Sequence, residues 1–89
     1  MDELLMSELE IIRQQHIDIF AKGIWKMLQK REKLMKFAVT ASISEKVRQN
    51  IEKIVEYYDT KIAGVKEVAA GICINEEVRT RVKSFRAVK

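Results

Sequence analysis

The stretch 17-IDIFAKGIWKMLQKREKLMKFA-38 decides the fold. Its apolar residues Ile17, Phe20, Ile24, Met27, Leu34 and Ala38 step by three and four, with Arg31 as the one charged interruption. That spacing marks one face of an α-helix, and a stripe this long calls for a partner helix to cover it. Upstream, Leu5, Leu9, Ile12 and His16 continue a helical face. A one-residue shift of register between His16 and Phe20 reads as a stutter and not a break. Helix 1 is therefore expected over about residues 2–37, roughly 54 Å at 1.5 Å per residue, which exceeds the width of a compact domain of this size. Gly23 costs this helix about 1 kcal/mol relative to alanine and marks either a close approach of another backbone or a bend.

The segment Ala38–Ile43 reads as the first turn, since Thr40, Ser42 and Ser44 cluster there and Ser42 with Glu45 has the form of a capping box. Helix 2 is expected over about residues 43–70, where Val47, Ile51, Ile54, Tyr58, Ile62, Val65, Ala69 and Ile72 repeat the same spacing. Asn75, followed by Glu76 and Glu77, starts a third helix to about residue 86, with acids at its positive end and Val78, Val82 and Phe85 on one face. Glu77 and Arg81 are spaced to pair across one turn. The expectation is all-α: a long antiparallel helical hairpin plus a short C-terminal helix in a single domain over residues 1–89.

Composition agrees. The chain has 89 residues, no proline and three glycines, with 47% hydrophobic and 34% charged residues, the balance of long amphipathic helices. A chain this short buries only about 60% of the surface its unfolded form exposes, so its stability margin is thin unless it associates. Two packed helices leave Leu4, Ile11, Ile19, Trp25, Leu28, Met35, Val55 and Val68 outside the seam, too many for a short third helix to cover. A homodimer of hairpins, forming a helical bundle, follows from this arithmetic of faces.

The net charge of +4 hides a segregation. Residues 1–21 carry Asp2, Glu3, Glu8, Glu10 and Asp18 against Arg13, whereas residues 22–36 carry six basic side chains against Glu32. From Arg79 to Lys89 there are five more bases and no acid. Lys22, Lys26, Lys30 and Lys33 form a stripe on helix 1, and Arg79, Arg81, Lys83 and Arg86 belong to the basic tail; together they would suit a phosphate backbone. Against that stands neutralisation of the stripe by Glu52, Glu56 and Asp59 on the antiparallel helix.

Catalytic signals are sparse. Cys73 is the lone cysteine, which excludes an intrachain disulfide, and between Ile72 and Ile74 it is expected to be a buried small apolar residue. His16 has Ile12, Arg13, Ile19 and Phe20 at the helical offsets where a second metal ligand would stand, so neither metal nor cofactor is expected. No glycine-rich phosphate loop or nucleophile–base constellation is present. Tyr57, Tyr58 and Asp59 fan over different faces of helix 2, with Tyr58 on the core stripe and Tyr57 on the rim. In size, in its long first helix and in the arginines Arg13 and Arg31 on that helix, the chain resembles the all-helical chorismate mutases. That resemblance implies a mutase active site, although the lysine of that family falls near Ser42 and no later glutamate–glutamine pair aligns.

A non-enzymatic, cytoplasmic interaction protein is the favoured expectation: an adaptor, chaperone or inhibitor that presents a helix face to its own copies or to another protein. No membrane segment is expected, because Lys66 and Glu67 interrupt the best apolar run, and the acidic start is unlike a signal peptide. The expected interface comprises Ile17, Phe20, Ile24, Trp25, Met27, Leu28, Arg31, Leu34 and Met35, with Trp25 and Arg31 as anchors and the methionines as adaptable surface. Nucleic-acid binding through the basic stripe and tail is the alternative.

Overall fold

A computed structural model of the chain describes residues 2–40 and 42–87 and, among them, is entirely helical apart from two short connections. Its elements are α1 (Asp2–Thr40), α2 (Glu45–Gly71) and α3 (Asn75–Ala87). At 39 residues α1 is about 58 Å long by its rise, which accounts for most of the 64 Å length of the molecule. It continues three residues beyond the expected end at Phe37. Neither glycine nor proline interrupts Ala38–Thr40, so nothing stops the helix before the serines.

The capping box expected at Ser42 and Glu45 does not form. Ser44 is the N-cap instead: it is extended, at φ −69° and ψ 157°, and its Oγ accepts from the Val47 backbone N–H at 3.3 Å. This places Glu45 at the first helical position, where a carboxylate meets the positive end of the helix dipole.

The connection from α2 to α3 is only Ile72–Ile74 and is closed by two reverse hydrogen bonds. Ile74 N–H donates to the Ala69 carbonyl at 2.9 Å and Cys73 N–H to the Ala70 carbonyl at 3.1 Å. This is a Schellman arrangement, in which the residue after the helix takes the left-handed conformation. Here that residue is Cys73, at φ 61°, and not a glycine. The expectation that Cys73 is buried fails for this reason: the left-handed turn carries Ile74 into the core against Ala69 and leaves Cys73 exposed. Asn75 is accordingly the first residue of α3, one place later than a capping position, while the Ile74 carbonyl accepts the Val78 N–H at 3.0 Å.

After the turn, α3 runs back along α1 in the same direction as α1. Near its start Glu77 meets Arg13, and one turn later Arg81 meets Asp18. Three helices thus enclose one core, made by Ile17, Ala21 and Ile24 of α1, Ile62 and Ala69 of α2, Ile74 of the turn and Val78 of α3. Phe20, Met27, Leu28, Val65, Val82 and Phe85 pack around it. Towards the hairpin end only α1 and α2 remain, with Ile51 and Val55 buried between them.

The molecule is long and thin. Its extents are 64 × 27 × 14 Å and its radius of gyration is 17.2 Å, against about 12 Å for a compact chain of this length.

Gly23 marks no close approach of another backbone. The helix continues through it, and a Cβ added there would meet no atom within 4 Å outside its own helix backbone. Gly23→Ala is therefore expected to raise stability by up to about 1 kcal/mol, through helix propensity alone. Cys73→Gly is expected to stabilise as well, by about 0.5–1 kcal/mol, because glycine accepts a positive φ without steric cost. Urea denaturation of both variants checks these values.

Candidate functional site

Three surface features follow from the way α1 outruns its neighbours. The first is an arm. α2 ends and α3 begins near Arg13, so among the described residues neither helix covers the preceding turns of α1, and Leu5, Met6, Leu9, Ile11 and Ile12 are each about half exposed or more. Leu5, Leu9 and Ile12 share one side of the arm by their spacing of four and three. The arm is also acidic in sequence, with Asp2, Glu3, Glu8 and Glu10 and no base before Arg13.

The second feature is a groove of about 450 Å³ where α1, the end of α2 and α3 converge. Its apolar lining includes Ile24, Leu28, Ala69, Val78 and Val82. Its charged lining is Lys66, Arg79, Lys83 and Arg86 against the single acid Glu76. Arg79 is engaged by Glu76, one turn before it. Lys66, Lys83 and Arg86 have no ion-pair partner among the described residues.

The third feature is the lysine stripe. Lys22, Lys26, Lys30 and Lys33 are all exposed on the side of α1 away from the core. Asp18 pairs with Lys22 at 2.9 Å. The expected neutralisation by α2 does not occur among the described residues: Asp59 pairs with Arg31 instead, its Oδ1 2.7 Å from Nε, and no ion pair joins Glu52 or Glu56 to the stripe. In the basic tail Arg81 is not free either, donating to the Gln14 side chain at 2.8 Å and lying 3.5 Å from Asp18. Lys89 of the tail lies outside the described residues.

Of the residues expected at a protein interface, Ile17 and Ile24 are fully enclosed within the chain at 0% and 2% exposure, so they belong to the core and present nothing outward. Phe20, Met27 and Leu28 pack on that core and are half-buried. Trp25, Arg31 and Leu34 are half-buried too, and Met35 is exposed. The stripe that calls for a partner helix is covered chiefly by α2 and α3 of the same chain. Leu5, Leu9 and Ile12, expected only to continue the helical face, are left exposed because α2 and α3 do not extend along this part of α1.

Polar contacts pin α3 to α1. Arg13 is held by Glu10 and Glu77, and Glu77 therefore does not pair with Arg81 as its spacing suggested. Both side chains turn across the helix–helix boundary, where Asp18 and Gln14 receive Arg81. Arg13 and Arg31, the pair behind the mutase resemblance, stand in separate ion pairs 18 residues apart on one helix, about 27 Å along its length. His16 is exposed and stacks on Phe20, with ring centroids 6.5 Å apart. Among the described residues no group of three or more His, Cys, Asp or Glu side chains could hold a metal ion, and no helix is long and apolar enough to cross a membrane. No protein family model, curated protein or solved structure matches the chain.

Asp18 sits between two cations, Lys22 on its own helix and Arg81 of α3. The Lys22 hydrogen bond holds it below the usual carboxylate range; partial burial opposes this, and the positive charges of Lys22 and Arg81 add to the lowering. A carboxyl lowered in the folded state contributes stability above its unfolded value, and that contribution is lost as pH falls through the folded value. Acid titration of the folded chain is thus expected to loosen the α1–α3 contact below about pH 4. Asp18→Asn should flatten this acid limb while leaving its shape above pH 5 unchanged, as followed by helical circular dichroism against pH.

Proposed function

We propose that this protein is a helical protein-interaction module, not an enzyme, and that it works as an assembly of its own copies. The observation that carries the proposal is the surface left over by folding. The chain exposes 7099 Å², whereas a folded monomer of 10.4 kDa exposes about 5,400 Å². The surplus of roughly 1,700 Å² exceeds the 800 Å² or so that each partner contributes to an ordinary stable interface. Most of the large apolar side chains left exposed lie towards the two ends of the molecule: the arm at one, and Met35, Phe37, Val39, Val47 and Ile54 at the other. Isolated apolar residues on a surface are ordinary, but large connected patches mark interaction sites.

Light scattering at micromolar concentration is expected to give a mass of two chains or more that is insensitive to salt. A mass of one chain throughout would contradict the proposal. Leu9→Asp, which places a charge on the exposed arm without touching the core, should lower that mass and leave the helical signal of the remaining monomer largely intact.

A second reading rests on the lysine stripe. Lys26, Lys30 and Lys33 are exposed and without ion-pair partners among the described residues, which suits a nucleic-acid backbone. It predicts binding to a generic DNA duplex at 50 mM salt that weakens steeply by 200 mM, with replacement of the three lysines by glutamine removing most of it. Absent or salt-insensitive binding would eliminate this reading.

A further inference from the structure

The arm and the groove complement each other. One is an acidic helix end with a bare apolar side; the other is an apolar trough whose free rim charges are all basic. We infer that the groove bounded by α1, α2 and α3 receives the N-terminal arm of a second copy of this chain, and that the exchange is reciprocal. The inference rests on the self-association proposed above and assigns its contact.

Chemistry on both sides supports this occupant. Leu5, Leu9 and Ile12 supply an apolar ridge one helix wide, and the half-buried Leu28 and Val82 line the trough that would take it. Glu8 stands one turn from Ile12 on the edge of that ridge and has no partner among the described residues, whereas Glu10 is already committed to Arg13 and Gln14. On the groove side Lys66, Lys83 and Arg86 are the rim cations left without partners. Docking the arm would bring Glu8 to the free bases of the rim while removing apolar surface from water, a match that neither surface finds among the described residues of its own chain. Area agrees, since the surplus surface is of the size that a standard interface needs.

Symmetry allows the exchange to close. The centre of the arm, at Glu8, and the α1 wall of the groove, midway between Ile24 and Leu28, are separated by 18 residues along one helix, or about 27 Å. Along the helix axis, two α1 helices running antiparallel about a two-fold axis at the level of Ile17 would set each arm level with the groove of the other copy. Such a contact is self-complementary and ends at two chains, without open-ended growth.

Charge exchange tests the inference. Two variants of the full chain are compared: Glu8→Lys, and the double variant Lys83→Glu with Arg86→Glu. All three positions are exposed, so helical circular dichroism should stay unchanged in both. Each variant alone sets like charges in the contact, and its dimer dissociation constant in sedimentation is expected to rise by about tenfold or more. Mixed at equal concentration, the two are expected to form a heterodimer with an affinity within about threefold of wild type, because the base introduced at position 8 then meets the acidic groove while Glu8 of the other copy meets the basic one. If wild type dimerises but the variants dimerise equally well, or the mixture is not restored, the arm–groove contact is wrong while self-association stands. A monomeric wild type overturns both. Variants of unchanged mass in which the groove substitutions abolish duplex DNA binding would assign the basic rim to nucleic acid and overturn the inference.

Discussion

A helix of 39 residues in a chain of 89 is the constraint on which the rest of this structure depends. What remains, 27 residues in α2 and 13 in α3, cannot cover it. The chain therefore spends its second and third helices on the middle of α1, where Ile17, Ala21 and Ile24 are enclosed from two sides, and leaves both ends of the molecule thinner. Every exposed apolar feature described above follows from that division. Burying a small core and ordering the whole length are in tension, since each ordered residue costs about 1–2 kcal/mol of backbone entropy whether or not it gains contacts. Association is the direct way to give the uncovered turns something to pack against.

The polar layer has a matching logic. Beside the apolar packing of Val78, Val82 and Phe85, α1 and α3 are joined by side-chain ion pairs and hydrogen bonds at exposed or half-exposed positions, among them Arg13 with Glu77 and Arg81 with Asp18. Pairs of this kind are individually worth little in stability, typically under about 1 kcal/mol. Their value lies in register: they fix which turn of α3 faces which turn of α1, and so fix the shape of the groove between them. The charges that this layer does not use, acids on the arm and bases on the groove rim and lysine stripe, carry the segregation visible in the sequence out to the molecular surface.

Most of the architecture was legible in the sequence because apolar spacing reports helices directly. Three helices in an antiparallel hairpin with a short third element could be read from Ile17–Ala38, from Val47–Ile72 and from Val78 to Phe85. Details depending on local backbone chemistry were less legible. Ser42 and Ser44 both offer a cap, and only the structure shows that Ser44 takes it. Cys73 could not be recognised as the left-handed residue of a helix end, because that position normally advertises itself with glycine, and Gly71 lies two residues earlier without a positive φ. The surface was harder still. Periodicity says that a residue belongs to a stripe, but not whether the stripe is covered by the same chain. Ile17 and Ile24 are enclosed by α2 and α3, while Leu5 and Leu9, on an equally regular pattern, are not. The difference is set by where α2 ends, a property of chain length and turn position and not of the stripe itself.

The dependence of folding on association is tested most directly by the urea unfolding midpoint over a hundredfold range of protein concentration. If folding and self-association are linked, the midpoint rises with concentration, and a two-chain assembly gains about 2.7 kcal/mol of apparent stability across the range. A midpoint that does not move would show that the three helices stabilise themselves as a single chain, and that the exposed faces of α1 are no part of what holds the fold together.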